Sequence, residues 1–398
     1  ETLLQAGVND ADLLIATTGA DELNLLCSMT AHGINPNIHT IARICNPDYT
    51  DQVYKMQKTF SLSLTVNPEK QAAIEIERLL KFPGFLKRDS FAKGRVEIVE
   101  LRVDERSRLC NVALSEMNRV IKCRVLVCAV LRRGDVVAPD GSFVLREGDR
   151  IFVTASTESL ATLLDNLGII TKKVNHVMIC GGGRVSYYLA QQLEKDGMTV
   201  RLIEKDSKHC EELAALLPKT EIINDDASNT FVLKRENLES CDALVTATGM
   251  DELNMIISLY GTKHGVSQVI TKLGHMENGS MIDQLPIGST IWPKDLCCNG
   301  IVRYIRAMHN QTGAAVSVHS IADGKAEAIE FHVEEKKPYC DKPLKNMKVK
   351  QNILVACITH GGVTELPGGD SVIREGDTVV VVTTRNDIIY KLDDIFEA

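Results

Sequence analysis

Residues 177–193, VMICGGGRVSYYLAQQL, carry the densest run of chemically telling residue types in the chain: an apolar stretch, three glycines, then a helical pattern. Gly181-Gly182-Gly183-Arg184-Val185-Ser186 fits G-x-G-x-x-G except at its last position, where serine replaces the third glycine. Such a loop binds a pyrophosphate by removing side chains. Gly181 would make the tight turn out of the strand and Gly183 the close approach of backbone to phosphate. A helix from Arg184 would offer free N–H groups and its positive dipole end. The alternative is a glycine-rich strand-to-helix turn with no ligand. Glu204 favours the ligand: it ends the next strand, about twenty residues on, where a carboxylate accepts adenosine ribose hydroxyls. Its charge disfavours a 2′-phosphate and so prefers NAD(H) or an adenine nucleotide, while Lys205 and Lys208 beside it pull the other way. Asp225 and Asp226 close the third strand, near where an adenine would lie.

A second group sits in ATGMDELN (247–254), where a strand ends and a helix begins. Gly249 would let a ligand approach the C-terminal strand edge, the usual binding edge of open α/β sheets. Asp251 and Glu252 keep two readings, helix capping with dipole matching or contact with a ligand or subunit. Lys272, and Arg43 at the equivalent place, each either meet phosphate or form a solvated strand end. The candidate nucleotide-binding set is therefore Gly181, Gly182, Gly183, Arg184, Val185, Glu204, Lys205, Asp226, Ala227, Thr248, Gly249, Asp251, Glu252 and Lys272. A hydride-transfer enzyme would also need a proton donor or acceptor beside its substrate. The ten histidines form no such set: His176 begins a strand, His264 closes a helix and His360 precedes Gly-Gly in a turn. Neither a Ser/His/Asp pattern nor HExxH nor a Walker lysine is present, so no catalytic residue is assigned.

These residues need strands to end where they stand. HVMIC (176–180), TVRLIEKD (199–206), TEIINDD (220–226), ALVTATG (243–249) and QVITKL (268–273) read as nearly continuous apolar strands. Between them RVSYYLAQQLEKDG (184–197), KHCEELAALLP (208–218) and DELNMIISLYGTKHG (251–265) read as helices. Alternating buried strands and helices predict a parallel sheet with helices on both faces. WPKDLCCNGIVRYIRAMHN (292–310) adds a proline-started helix, followed by a smaller αβ segment.

The pattern occurs twice. ADLLIATTGADELNLL (11–26) realigns with CDALVTATGMDELNMI (241–256), and PDGSFVLREGDRIFV (139–153) with PGGDSVIREGDTVVV (367–381). The two offsets nearly agree, so the repeating unit is a pair of domains. The boundaries read as 1–88 and 89–171 for the first pair, 172–312 and 313–398 for the second. A partner for Gly181 would fall before residue 1. The chain thus enters its first sheet domain near the helix before the fourth strand, and it begins at Glu1 rather than Met.

Bulk properties narrow the class. The chain has 398 residues, 44% hydrophobic and 25% charged, with a net charge of −8 and no dense basic block, which argues against nucleic-acid binding. No apolar stretch approaches the roughly 18 residues needed to span a bilayer; RVLVCAVL (124–131) and TVVVVTT (378–384) read as buried strands. The 12 cysteines are scattered, form no CxxC and sit at no zinc spacing, so they read as reduced core thiols and no metal is assigned.

In combination, VMICGGGRVSYYLAQQL, RLIEKD (202–206 with Arg201), ALVTATGMDELNM, IARICNPDY (41–49) and the twin REGD turns resemble the TrkA family over essentially the whole chain. These are peripheral, cytoplasmic, nucleotide-binding subunits of Trk potassium uptake systems. The resemblance implies a tandem duplication of a Rossmann-like RCK N-domain followed by a small αβ RCK C-domain. It implies a non-enzymatic regulatory subunit that forms a ring, typically a tetramer of two-RCK chains, beneath an integral membrane potassium channel subunit on the inner face of the membrane. NAD(H) or ATP/ADP would shift the ring and gate the pore. By position, Gly181, Gly183, Glu204, Asp226, Thr248 and Gly249 would hold nucleotide. Thr18, Gly19, Asp21, Glu22, Asn24 and Arg43 would remain of the first site. Ser186 and Asp225 depart from the family pattern. The helices after Pro68 and Pro293 would be crossover helices pairing adjacent units, the alternative being packing on their own sheets. An NAD-dependent oxidoreductase and a regulator of a different transporter are the competing readings.

Overall fold

The computed structural model describes residues 1–81, 87–92, 95–105, 107–167, 173–274, 282, 285–308, 315–384 and 389–397. The first unit opens with helix α1 (Thr2–Gln5), a 3-10 turn at Val8–Asp10 and strand β1 (Leu13–Ala16). Helix α2 (Asp21–Ile34), β2 (His39–Arg43), α3 (Pro47–Lys55), β3 (Leu64–Val66) and α4 (Pro68–Lys81) follow. The strands form a parallel sheet in the order β1-β2-β3. Next come β4 (Lys87–Phe91), β5 (Val96–Arg102), α5 (Leu114–Ile121), β6 (Leu126–Arg132), β7 (Asp135–Val137), β8 (Arg150–Ser156) and α6 (Thr157–Leu167), an antiparallel sheet in the order β4-β5-β8-β6-β7 with its helices. The expected boundary at 88/89 cuts β4, so this sheet takes in the chain from Lys87. The boundaries at 171/172 and 312/313 lie outside the described residues.

The second unit runs β9 (His176–Cys180), α7 (Arg184–Lys195), β10 (Thr199–Glu204), α8 (Ser207–Leu216), β11 (Glu221–Asn224), α9 (Thr230–Arg235), β12 (Ala243–Thr246), α10 (Asp251–Lys263), β13 (Gln268–Lys272), β14 (Ser289–Ile291) and α11 (Pro293–Met308). Its six parallel strands take the order β11-β10-β9-β12-β13-β14. This is the doubly wound arrangement whose direction reverses between β9 and β12, opening a crevice at their C-terminal ends. β1, β2 and β3 are the counterparts of β12, β13 and β14. β15 (Ala315–Ile321), β16 (Ala326–His332), β17 (Ile353–His360), β18 (Val363–Glu365) and β19 (Thr378–Thr383) close a second antiparallel sheet. In it a 3-10 turn at Leu344–Asn346 stands near the place of α5.

Side chains of β9 alternate between two cores, as a pleated strand requires. Val177 and Ile179 face α7 and α8, while Met178 and Cys180 face α9 and α10. The first of these cores also takes in Ala72, Ala73, Ile76, Leu79 and Leu80 of α4, a helix of the other unit. In exchange, Cys297, Ile301 and Tyr304 of α11 pack on Leu13, Ile41, Leu64 and Val66 of the first sheet. The helices after Pro68 and Pro293 are thus crossovers that bind the units together. Two equivalent polar contacts pin the exchange: the Gln268 amide donates to the Leu79 carbonyl at 2.7 Å, and His39 Nδ1 meets the Tyr304 hydroxyl at 2.6 Å. Lys81 adds an ion pair to Asp196 at 2.9 Å.

The antiparallel sheets face each other through Phe91, Ile98, Cys128 and Phe152 on one side and Ile321, Ala328, Cys357 and Val380 on the other. All 12 cysteines are free, and RVLVCAVL and TVVVVTT are buried strands β6 and β19. Among the described residues no helix is long and apolar enough to cross a membrane.

Candidate functional site

β9 delivers its glycines into the crevice at the sheet's switch point. Gly181 has φ +99°, and a Cβ there would lie 2.8 Å from the Thr248 Cα, so only glycine satisfies both the turn and the neighbouring strand end. A Cβ on Gly182 would stand 2.7 Å from Leu213 Cδ1 and 3.0 Å from the Glu204 carboxylate. Gly183 differs: its φ of −63° suits any residue, and a Cβ would meet nothing within 4 Å. The space above Gly183 belongs to no protein atom, as close approach of a pyrophosphate requires.

Helix α7 begins there without a side-chain cap and with no acidic residue in its first turn. By contrast α8 and α9 are capped by Asp206 and Asn229. The positive end of α7 is therefore unopposed at the glycine loop. Val185 points its side chain into the core, so only its backbone faces the loop. Ser186 is fully buried between helix and strand, its Oγ without a hydrogen-bond partner. The hydroxymethyl is accommodated where the third glycine would lie.

Glu204 is held rigid. Its Oε2 accepts the Gly182 N–H at 2.7 Å and its Oε1 the Asp206 N–H at 2.9 Å. His209, which sequence reasoning passed over, grips the next peptide of the same glycine, Nε2 lying 2.9 Å from the Gly182 carbonyl. Its neighbour Glu212, then the Gly182 carbonyl and the nearby Glu204, hold the imidazole above its ordinary pKa of 6.5. Asp225 and Asp226 follow β11 rather than ending it. Asp225 pairs with Arg235 at 2.8 Å, away from a ligand role. Asp226 is exposed, accepts the Ser228 N–H at 2.8 Å, and is held below the usual carboxylate range by Ser228 and then Lys205. Ala227 is buried in the core beside it.

Opposite the glycines, Asn254 clamps the end of β12. Its Oδ1 accepts the Thr248 N–H at 2.9 Å and the Thr248 hydroxyl at 2.7 Å, and its amide donates to the Lys272 carbonyl at 3.0 Å. Asn24 repeats the clamp on Thr18, with 2.7 Å for both bonds and 2.9 Å to the Arg43 carbonyl. Asn24 is fully buried, so it shapes the loop and offers no surface to a ligand. Gly249 and Gly19 remain exposed at the rim.

Asp251 and Asp21 are neither caps nor exposed ligand groups. Asp251 accepts the Gly274 N–H at 2.8 Å, and Asp21 accepts the Cys45 and Asn46 N–H groups, each at 2.8 Å. Each ties its helix to the loop after the neighbouring strand. Glu252 and Glu22 lie exposed in the first helical turn, where dipole matching suffices. Lys272 and Arg43 are not solvated strand ends. Lys272 Nζ donates to the Thr248 carbonyl at 2.8 Å, and burial lowers its pKa. Arg43 donates to Cys45 Sγ at 3.1 Å and pairs with Glu69 of α4 at 3.5 Å; burial pushes the Cys45 thiol up to about 12.

The crevice therefore gathers Gly181, Gly182, Gly183, Arg184, Glu204, Lys205, Asp226, Thr248, Gly249 and Lys272 around one strand edge. Among the described residues no cluster of three or more His, Cys, Asp or Glu is placed to hold a metal. Fold and edge together define a tandem dinucleotide-type Rossmann protein, each sheet domain followed by a small antiparallel domain.

Comparison with known proteins narrows the class. The TrkA-N domain matches residues 1–62 and 177–293, and the TrkA-C domain residues 98–168 and 328–396. The chain belongs to the TrkA family of tandem TrkA-N and TrkA-C proteins. It is 28% identical over 386 residues to the Trk system potassium uptake protein TrkA homolog 1 of Methanosarcina mazei, covering 95% of this chain and 85% of that protein. With Trk system potassium uptake protein TrkA of Haemophilus influenzae it shares 27% over 405 residues, covering 100% and 87%. Among solved structures, the GsuK RCK domain superimposes with a TM-score of 0.58 at 15% identity, covering 96% of this chain and 80% of that one. The GsuK channel bound to NAD gives 0.57 at 15% identity, covering 96% and 67%. At that identity the likeness concerns the fold.

Proposed function

We propose that the protein is a nucleotide-sensing regulatory subunit of a Trk-type potassium uptake system, binding NAD(H) or ADP/ATP in the Gly181–Glu204–Thr248 crevice without turnover. The observation that carries this reading is the room over Gly183, facing an uncapped helix end and a Glu204 carboxylate already oriented by two backbone amides. The relatives named as potassium uptake proteins support the transport context. A pyrophosphate would lie on the α7 N-terminus, the adenosine ribose on Glu204 and the adenine near Asp226, with Thr248, Gly249 and Lys272 closing the opposite wall. Thr18, Gly19 and Arg43 would provide the matching wall of a first site.

Regulation then follows by linkage. A nucleotide that binds one arrangement of the two sheet domains more tightly shifts their equilibrium by that difference in affinity, and no bond need break. The subunit would act as a ring of four two-unit chains docked at the inner face of the membrane against an integral potassium channel subunit. Competition titration with NADH, NAD, ADP and ATP, together with turnover assays on a panel of alcohols and hydroxy acids, tests the proposal. Binding without turnover supports it; steady hydride transfer at ordinary dehydrogenase rates overturns it in favour of an oxidoreductase. Deletion of the gene tests the transport arm, which falls if potassium uptake is unchanged.

A further inference from the structure

Helix α7, which starts at the glycine loop, has polar business in the other unit. One turn into it, Tyr188 is buried, and each hydroxyl partner belongs to the first sheet domain. The phenol donates to the Cys45 carbonyl at 3.1 Å, accepts from the Asn67 amide at 3.2 Å and lies 3.5 Å from the Thr50 hydroxyl. A phenylalanine would fill the same space, so the hydroxyl's contribution is direction rather than bulk.

Both main partners are themselves structural joints. The Cys45–Asn46 turn is held on its other side by Asp21, whose carboxylate takes both amides and stands at the start of α2, beside Thr18 and Gly19. Asn67 caps the crossover helix α4 through the Lys70 N–H at 2.8 Å. Burial keeps the phenol protonated as a donor. Tyr188 thus joins the first turns of α7 directly to the strand edge of the first domain and to the cap of the helix exchanged between domains.

We infer that Tyr188 is a positioning residue that transmits occupancy of the glycine-loop site to the Cys45–Asn46 turn and to the α4 cap. The inference rests on the nucleotide reading above and adds to it the route by which one domain senses ligand in the other. Coupling between the two sites is measured directly as a change at one that follows occupancy of the other.

The experiment is amide hydrogen exchange on the full chain with and without saturating NADH, in wild type and Tyr188→Phe, with NADH affinity measured in parallel. The Gly182 amide, bonded to Glu204, reports occupancy. In wild type NADH is expected to change exchange at Asn46 and Lys70 by about fivefold or more, the lower end of ordinary allosteric coupling. In Tyr188→Phe, NADH affinity stays within about threefold and Gly182 still responds, but Asn46 and Lys70 do not. An unchanged response in Tyr188→Phe, or none in wild type that binds NADH, overturns this inference alone. Failure of wild type to bind NADH or ADP overturns the nucleotide reading and this one with it. If Tyr188→Phe does not fold, Asn67→Asp replaces it, since aspartate still accepts the Lys70 N–H and caps α4 but carries no N–H to donate to Tyr188.

Discussion

At the two equivalent strand edges the same asparagine clamp serves two different endings. In the second sheet domain Asn254 holds the Thr248 loop and Lys272 turns back to the Thr248 carbonyl, leaving Glu204 and the glycines to face the crevice. In the first, Asn24 makes the identical clamp on Thr18, but Arg43 turns away to Cys45 and to Glu69 of the crossover helix. One edge spends its cation on its own site wall, the other on the joint between units. Duplication preserved the backbone device and freed the charged positions to diverge. The crossover helices also differ in how deeply they bury: α4 sets the fully buried Ile76, Leu79 and Leu80 in the core of the second sheet domain, whereas α11 sets Cys297 and the half-buried Ile301 and Tyr304 on β1, β2 and β3.

Substitutions in the two units test that contrast. The largest effect is expected in the crossovers. Ile76→Ala should cost about 3 kcal/mol through loss of burial and an unfilled cavity, while the half-buried Ile301→Ala costs about 1 kcal/mol. Urea unfolding of the two variants checks this, and equal losses would mean that the exchange is energetically symmetric. Next come the glycines. Gly181→Ala meets both a positive φ and the Thr248 backbone and should cost about 2–3 kcal/mol. Gly19→Ala, with open space around it, should cost under about 1 kcal/mol.

A smaller effect belongs to His209, which grips the glycine loop of the second domain. Its folded pKa is raised, so its stabilising contribution is complete below the ordinary value of 6.5 and is lost as pH rises through the raised one. The melting temperature of His209→Gln should therefore fall short of wild type in mildly acidic buffer and converge with it as pH rises. A deficit that grows with pH would contradict the assignment.

Much of this architecture was legible in the sequence because it follows from local rules. The glycine cluster, the carboxylate at the end of the next strand and the nearly continuous apolar strands each report their own surroundings, and the repeat divides the chain into two paired units. Periodicity shows that a helix has an apolar face but not which sheet covers it, so both partners for the helices after Pro68 and Pro293 stayed open. Asp251 reads as a capping residue because it starts a helix, and Asp21 holds the same place in the repeat. Their carboxylates instead reach loops more than twenty residues away, which spacing along one helix cannot reveal. Arg43 and Lys272 read alike, yet their different partners come from loops and helices brought together only by folding. Tyr188 had one faint signal, a phenol on the same apolar stripe as Val185 and Leu189.

The central claim is that the room over Gly183 belongs to a nucleotide. Gly183→Val places a side chain in that room on an ordinary φ, with a Cβ that meets nothing within 4 Å, so folding stability should change by less than about 1 kcal/mol. Calorimetric titration with NADH is then expected to show binding weakened by about a hundredfold or more, because the pyrophosphate and the isopropyl group compete for one space. A Gly183→Val protein that is as stable as wild type and binds NADH equally well would contradict the account.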